Sequence, residues 1–309
     1  MVVWFLLLLA MQPALADRPG RAENAGPSSR PFRVLRDQVY ARVAGRQLLL
    51  DLYLPSNVRK PVPVVMYIHG GDWMYGNRGR PPVLFLLEEG IAVASIDYRM
   101  APGNRFPAQI QDCRDALLYL KSNGKRYGLA EDHIGLLGES AGGHLAALLG
   151  TAADEKAFIG LRKAPADARV QAVCAVSGPM DIEYLGTLTD AIVDVIGKHP
   201  IQQLLGGTIE QKLDLAILAS PIRHVSKQSP PFLLVFGDRD LVVPPILNRD
   251  MYEALKDAGV DVRAYEVKGM GHNMLRIWDE QTRGQIATFF RERLLELPPP
   301  ADAVHPVIP

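Results

Sequence analysis

The segment HIGLLGESAGGHLAALLG (His133–Gly150) joins two elements of different type through a run of small residues. Its first half is a short apolar run typical of a buried strand, and its second half is typical of a helix. Between them, Gly138–Gly142 matches the pattern G-x-S-x-G, with Ser140 at its centre. Small neighbours permit a sharp turn, and such a turn holds the serine hydroxyl out beyond the end of the sheet. The segment therefore predicts that Ser140 is a nucleophile.

Apolar runs and helical patterns alternate along the rest of the chain. The runs that predict strands are VPVVMYIHGG (62–71), IAVASIDYR (91–99), HIGLLGES (133–140), VQAVCAVSG (170–178), PFLLVFGDRD (231–240) and VDVRAYEVKG (260–269). Helical patterns cover residues 81–90, 108–124, 141–153, 246–259 and 280–296, and the second is expected to stop at Gly124. Such alternation predicts an α/β fold with a mostly parallel central sheet flanked by helices.

Two further features modify that predicted sheet. Residues 38–55 form two strand patterns around a turn at Gly45, which predicts an antiparallel N-terminal hairpin at one edge. Residues 180–230 separate two predicted strands and contain mixed helical patterns punctuated by Gly and Pro. We expect a small insertion there, which is either a cap over the site or plain connecting structure.

The chain is expected to contain one main domain with short flanking segments. Residues 1–16 combine an apolar run, too short to span a bilayer as a helix, with a small-x-small signal peptidase pattern. We therefore expect an exported protein, periplasmic or secreted, that is cleaved after Ala16. Residues 17–33 are predicted to be a disordered leader, residues 34–297 the α/β domain, and residues 298–309 a Pro-rich tail.

The charge balance argues against partners that need a strongly charged surface. Lys and Arg total 34, and Asp and Glu also total 34, so the formal net charge is zero. We therefore expect no nucleic-acid binding. Stable membrane insertion is not expected either, because the N-terminal apolar run is too short to span a bilayer as a helix. Cys113 and Cys174 lie in apolar helix and strand patterns, and we expect them to be small buried residues rather than a disulfide scaffold.

A serine nucleophile needs a base, and the base needs an acid that orients it. His272 follows a predicted strand in the Gly-rich segment VKGMGHNM and is the candidate base. The candidate acids are Asp238 and Asp240, which both follow the strand that ends in VFG. Because side chains two residues apart in a strand point to the same face, periodicity leaves the choice between the two aspartates open.

The segment YIHGGDWMYG (67–76) contains candidate groups for binding a negative charge. Glycines there let backbone N–H groups approach a developing oxyanion, so Gly70, Gly71 and Asp72 are candidate donors. Ala141, the residue after the nucleophile, offers a further N–H group. Trp73 and Tyr75 are candidate pocket residues, although each fits a core position equally well.

Five segments together resemble the α/β-hydrolase esterases of the hormone-sensitive-lipase and bacterial feruloyl/acetyl esterase (BD-FAE) kind. They are HGGDW, DYRMAPGNRFPAQIQD, GESAGGH, GDRDLVVP and GMGH, in the order expected for these families. The resemblance implies the α/β-hydrolase fold and a triad of Ser140, Asp240 and His272, because the families place the acid in a D-x-x-V-P pattern. The chain departs from the H-G-G-G pattern of these families at Asp72, where a third glycine is more usual.

The resemblance also implies an activity, namely serine carboxylic-ester hydrolysis through an acyl-enzyme on Ser140. The expected substrates are short-acyl esters or carbohydrate-linked acetyl and feruloyl esters. Two alternatives stay open: an aryl formamidase-type amide hydrolase, and a catalytically silent binding protein of the same fold. No cofactor or metal is expected, because the sequence has neither an H-E-x-x-H nor a G-x-G-x-x-G motif.

Overall fold

The computed structural model describes residues 32–298, except residues 57, 60, 163–166 and 194–198. Its strands are β1 (Phe32–Val43), β2 (Arg46–Pro55), β3 (Val62–Ile68), β4 (Ala92–Ile96), β5 (Leu129–Glu139), β6 (Ala172–Val176), β7 (Phe232–Gly237) and β8 (Val262–Val267). Its helices are α1 (Ala108–Tyr127), α2 (Ala141–Thr151), α3 (Ile182–Val193), α4 (Pro200–Leu205), α5 (Leu213–Leu218), α6 (Pro245–Asp257) and α7 (Glu280–Leu294). The predicted signal segment, the leader up to residue 31 and the tail from residue 299 lie outside the described residues.

These strands form a single sheet in the order β1-β2-β4-β3-β5-β6-β7-β8. β1 pairs with β2 and β2 with β4 in antiparallel fashion, whereas the other neighbours are parallel. The predicted α/β-hydrolase fold and its antiparallel N-terminal hairpin are therefore confirmed. β1 begins earlier than the sequence pattern predicts, because Phe32 and Arg33 already pair with Pro55 and Leu54 of β2.

β3 shows how the sheet is buried on both faces. All of its residues are buried, and alternate side chains point to opposite faces. Met66 packs into an apolar layer that includes residues of α1 and α2, whereas Val65 packs into a second layer that includes residues of α7. Because β3, β5, β6, β7 and β8 run parallel, their carboxyl ends lie at one edge of the sheet, where the loops that follow them meet.

Two helix predictions need correction. α1 continues past Gly124 to Tyr127 and ends at Gly128, which has a φ of 75° and caps the helix through its N–H group. Gly124 is explained by packing, since a Cβ atom there would lie 2.8 Å from Glu131 Cγ. The helix predicted over residues 81–90 is reduced to one 3₁₀ turn, Leu84–Leu87, because the chain soon turns back toward β4.

The predicted insertion between β6 and β7 is helical and contains α3, α4 and α5. Its beginning and end are tied together, because Ser220 Oγ accepts a hydrogen bond from Ile182 N–H at 2.9 Å and Ile222 N–H donates to Met180 O at 3.1 Å. The segment that enters the insertion after β6 therefore lies beside the segment that leaves it toward β7.

The remaining expectations about the described part of the chain concern cysteines and membrane spans. Cys113 and Cys174 are both buried and free, as expected of small core residues. Among the described residues, no helix combines the length and the apolar character that crossing a bilayer requires.

Candidate active site

Ser140 lies between β5 and α2 in a strained turn. Its φ of 51° and ψ of −122° fall in a region that residues other than glycine rarely adopt. A Cβ atom at Gly138 would lie 2.1 Å from Gly142 O, and one at Gly142 would lie 2.0 Å from Ile68 O. Only glycine fits these two positions, so the G-x-S-x-G pattern is the steric condition for this turn.

Ser140, His272 and Asp240 form a continuous hydrogen-bonded chain. Ser140 Oγ lies 3.0 Å from His272 Nε2, and His272 Nδ1 lies 2.7 Å from Asp240 Oδ2. The other carboxylate oxygen of Asp240 accepts hydrogen bonds from the N–H groups of Val242 and Val243 at 2.9 and 2.8 Å. The loops after β5, β7 and β8 thus bring together the side chains predicted to be the nucleophile, the base and the orienting acid.

Asp238 lies outside this chain of contacts. Its Oδ1 atom accepts a hydrogen bond from Gly269 N–H at 2.6 Å, which ties the loop after β7 to the loop after β8. Of the two aspartates that strand periodicity leaves open, Asp240 is the one whose carboxylate reaches His272.

The loop after β3 passes directly beside the nucleophile. A Cβ atom at Gly70 would lie 3.3 Å from Ser140 Cβ, and the next two residues, Gly71 and Asp72, have φ values of 105° and 54°. Ala141 is the first residue of α2, so its N–H group has no partner within the helix and lies at the positive end of the helix dipole. The structure thus brings all four candidate oxyanion residues to Ser140.

His69 fixes the peptide group between Gly70 and Gly71. Its Nδ1 atom donates a hydrogen bond to Gly70 O at 2.8 Å, and its ring stacks on Tyr98 with 4.4 Å between the ring centroids. Burial lowers the pKa of His69, which keeps the ring neutral near pH 7. A neutral ring with its proton on Nδ1 orients the backbone of residues 69–76, the candidate oxyanion loop. The sequence pattern does not specify this role of His69.

Ser140 opens onto a cavity of about 400 Å³. Its lining residues are Tyr67, His69, Gly70, Gly71, Asp72, Gly76, Asn77, Arg80, Glu139, Ser140, His272 and Met274. Most of them belong to the loop after β3, and the described residues of the insertion at 180–230 are not among them. The described part of the chain has no group of three or more His, Cys, Asp or Glu side chains arranged to hold a metal ion.

Trp73 and Tyr75, the two candidate pocket residues, do not line this cavity. Trp73 is 3% exposed and belongs to the core, where its indole N–H donates to His144 Nδ1 at 3.1 Å. Tyr75 is 60% exposed. The loop turns over Gly71–Tyr75, where Gly71 O accepts hydrogen bonds from the N–H groups of Met74 and Tyr75, and neither aromatic side chain of this turn reaches the cavity wall.

Glu139 is a site residue that sequence reasoning missed. Its carboxylate lines the cavity and accepts hydrogen bonds from Tyr67 Oη and Trp278 Nε1, both at 2.8 Å. Burial raises the pKa of Glu139, and the two hydrogen bonds oppose that rise. The motif leaves this position unspecified, and the partners are far away in the chain, so no local signal indicates the contact.

A model of the BD-FAE family matches residues 50–255 of the chain. The matched segment extends from β2 into α6 and includes the strained turn at Ser140 as well as Asp240. His272 follows it in the chain.

Individual relatives are similar over most of the domain. Esterase LipC of Mycobacterium tuberculosis is 34% identical over 230 residues, which are 72% of this chain and 56% of LipC. The probable carboxylic ester hydrolase LipM of the same organism is 30% identical, over 77% of this chain and 56% of LipM. The chain thus spans about half the length of the curated relatives it matches. A truncated carbohydrate esterase from gut microbiota superposes with a TM-score of 0.74 at 26% identity, covering 88% of this chain and 100% of that one.

Proposed function

The chain belongs to the BD-FAE family and has the α/β-hydrolase fold, and from this premise we propose that it is a serine carboxylesterase. The observation that carries the proposal is the hydrogen-bonded chain from Ser140 through His272 to Asp240. The names of the similar proteins, an esterase and a carbohydrate esterase, support the same reaction class.

Acylation begins at the Ser140 hydroxyl. Its oxygen attacks the ester carbonyl carbon while His272 Nε2 takes the proton, and Asp240 stabilises the imidazolium that forms. The negative charge on the carbonyl oxygen is held by backbone N–H groups of Ala141 and of the loop at Gly70–Asp72. When the carbon–oxygen bond to the alcohol breaks, His272 passes its proton to the leaving alcohol and an acyl-Ser140 ester is left.

Deacylation repeats these steps with water. His272 takes a proton from a water molecule, whose oxygen attacks the acyl carbon, and the same N–H groups hold the second oxyanion. The bond to Ser140 Oγ breaks, the proton returns from His272 to this oxygen, and the carboxylic acid leaves. The proposed substrates are short-acyl or carbohydrate-linked acetyl and feruloyl esters.

A panel of esters tests the proposal. Wild-type protein is assayed on p-nitrophenyl esters of increasing chain length, acetylated xylan, methyl ferulate and N-formylkynurenine, with Ser140→Ala as the blank. We expect hydrolysis of short-acyl esters, a loss of at least about 10⁴-fold in kcat for Ser140→Ala, and labelling of wild-type Ser140 by a fluorophosphonate. Cleavage of the formamide alone would assign an amide hydrolase instead, and a folded protein that is not labelled would contradict an enzyme.

We also propose that residues 1–16 direct export of the protein, on the apolar run and the small-x-small pattern that they contain. The mature chain is then expected to begin at Asp17. N-terminal sequencing of protein recovered outside the cytoplasm checks this, and retention of Met1 in all of it would refute cleavage.

A further inference from the structure

Asp72 places an unpaired carboxylate in the active site. The side chain lines the cavity together with Ser140 and His272, and no hydrogen bond or ion pair joins it to any of the described residues. The other carboxylates of the site are engaged: Asp240 holds His272, and Glu139 accepts two hydrogen bonds. Asp72 is therefore the acidic group of this cavity that is left to meet a ligand.

The backbone alone does not explain an aspartate at this position. The turn is closed by Gly71 O, which accepts hydrogen bonds from the N–H groups of Met74 and Tyr75 at 2.9 and 2.8 Å. Within it Asp72 has a φ of 54°, a left-handed conformation that glycine adopts most readily and that Asp and Asn tolerate better than other residues. Glycine would meet this backbone requirement at least as well, so what the aspartate adds to the turn is its carboxylate.

Asp72 and His272 line the same cavity beside Ser140. Burial raises the pKa of Asp72, and the nearby His272 opposes that rise. His272 Nε2 delivers the proton to the leaving alcohol, so the alcohol lies beside His272 during the reaction. The alcohol therefore leaves within the cavity that Asp72 also lines.

Two further polar side chains from the same loop line this cavity. Asn77 accepts a hydrogen bond from Gly79 N–H at 2.8 Å through its Oδ1 atom. Arg80 is exposed and forms no ion pair with another described residue. Arg78, between them, is anchored by Asp51 and Asp97, which fixes the loop. An ionised carboxylate accepts hydrogen bonds, and guanidinium and amide N–H groups donate them, so together they complement hydroxyl groups, which do both.

We propose that Asp72, with Asn77 and Arg80, binds hydroxyl groups on the alcohol part of a polyhydroxylated ester and so determines the alcohol specificity of this site. This assignment rests on the proposed esterase function, since it concerns the leaving group of the same Ser140 reaction. It also gives a role to the residue at which the chain departs from the H-G-G-G pattern.

Two acetates of similar ring size test the subsite. One is a mono-O-acetylated methyl xyloside, and the other is cyclohexyl acetate, whose alcohol ring has no free hydroxyl groups. The measured quantity is the ratio of their kcat/KM values, which cancels any loss common to both esters. We expect Asp72→Gly to lower the xyloside-to-cyclohexyl ratio roughly 10- to 100-fold, the size of a hydrogen bond to a charged group, with Asp72→Asn in between.

Arg80→Ala is the second variant, because Asp72 is also a candidate oxyanion residue and Arg80 is not. It is expected to lower the same ratio by at least about threefold. Asp250→Asn removes an equal charge from an exposed position of α6 and is the matched control, with no change in the ratio. The Tm of Asp72→Gly should not fall below that of the wild type, because glycine relieves the strain of a positive φ.

The outcomes separate this inference from the proposed function. If Asp72→Gly lowers kcat/KM equally on both acetates, Asp72 acts on His272 and not on the alcohol. If neither variant changes the ratio, there is no such subsite. Either result overturns the inference. A larger Asp72→Gly loss on acetylcholine than on the xyloside would assign the carboxylate to a cationic alcohol and also overturns it. Failure of the wild type on every ester, with no fluorophosphonate labelling, would instead refute the esterase.

Discussion

Asp240 holds His272 through one carboxylate oxygen and is itself held through the other. It is 1% exposed, and its Oδ1 atom accepts two backbone N–H groups of the turn that it begins, from Val242 and Val243. A buried carboxylate in such a turn has little freedom to rotate, so its second oxygen is fixed toward His272. At the scale of single residues, this contact selects the imidazole tautomer that accepts the Ser140 proton.

Asp240→Asn and Asp238→Asn are predicted to differ by orders of magnitude in turnover. An asparagine at 240 can present N–H groups to His272 Nδ1 and so favour the wrong tautomer, which lowers kcat by roughly 10³–10⁴-fold. An asparagine at 238 can still accept from Gly269 N–H through its Oδ1 atom, so the loss should stay within about threefold. Steady-state kinetics on p-nitrophenyl acetate measure both, and a larger loss at 238 would refute the assignment of the acid.

At the scale of elements, His144 joins three parts of the site. It lies on α2, accepts a hydrogen bond from Trp73 Nε1 at 3.1 Å through Nδ1, and donates one from Nε2 to Ala219 O at 2.6 Å. The helix that follows the nucleophile is thereby connected to the oxyanion loop and to the end of α5. Burial lowers the pKa of His144 from 6.5 to about 4, partly opposed by the bond to Ala219, so the ring is neutral when the protein is folded near pH 7.

His144 is predicted to make stability depend on pH between 6.5 and about 4. The unfolded chain takes up the proton at the higher pH, so in this window the unfolded state binds more protons and the free energy of unfolding falls as the pH falls. His144→Gln keeps an acceptor for Trp73 and a donor for Ala219 but does not titrate. Between pH 6.5 and 4.5 the wild type should lose about 2 kcal/mol more than the variant.

Urea unfolding at several pH values measures this difference. Comparison with the variant cancels the other titrating groups, since these remain in both proteins. If the two proteins lose stability in parallel as the pH falls, His144 does not carry the dependence.

At the scale of the whole molecule, Arg78 connects the loop after β3 to the antiparallel hairpin of β1 and β2, which forms one side of the sheet. Its guanidinium contacts Asp37 of β1, Asp51 of β2 and Asp97 after β4, and its Nε atom lies 3.0 Å from Asp51 Oδ1. Asp51 is 2% exposed, so the ion pair satisfies a buried carboxylate. The antiparallel hairpin thereby supports the loop that carries Asn77 and Arg80 into the cavity.

Arg78→Ala is predicted to destabilise the protein by about 3 kcal/mol, because it leaves carboxylates with less compensation in a buried place. Arg249→Ala, which breaks an exposed pair with Glu266, should cost less than about 1 kcal/mol and is the matched control. Arg78→Lys should fall between them, since an ammonium keeps the charge but not the planar fork. Chemical denaturation measures all three, and equal losses for Arg78→Ala and Arg249→Ala would contradict the supporting role.

Much of the architecture follows from local patterns in the chain. The apolar runs at β3, β5 and β7 predict buried parallel strands because such strands are covered on both faces. Helix ends are harder to predict from sequence: Gly124 has the residue type of a stop, but α1 passes it and continues to Tyr127. The helix ends at the next glycine, Gly128, whose left-handed backbone lets its N–H group bond to carbonyls of the last turn.

By itself the sequence determined the strained turn at Ser140, because Gly138 and Gly142 flank it within one short segment and a Cβ atom at Gly138 would meet Gly142 O only four residues away. The second steric condition, the contact of Gly142 with Ile68 O of β3, comes from the sheet. Periodicity left Asp238 and Asp240 equal, and the tertiary structure decided between them, since only the turn geometry after β7 shows which carboxylate reaches the loop after β8. The tertiary structure alone also placed Trp73 in the core and Asp72 in the cavity. These outcomes depend on side chains converging from loops far apart in the chain, and sheet order and loop packing, rather than local pattern, set that convergence.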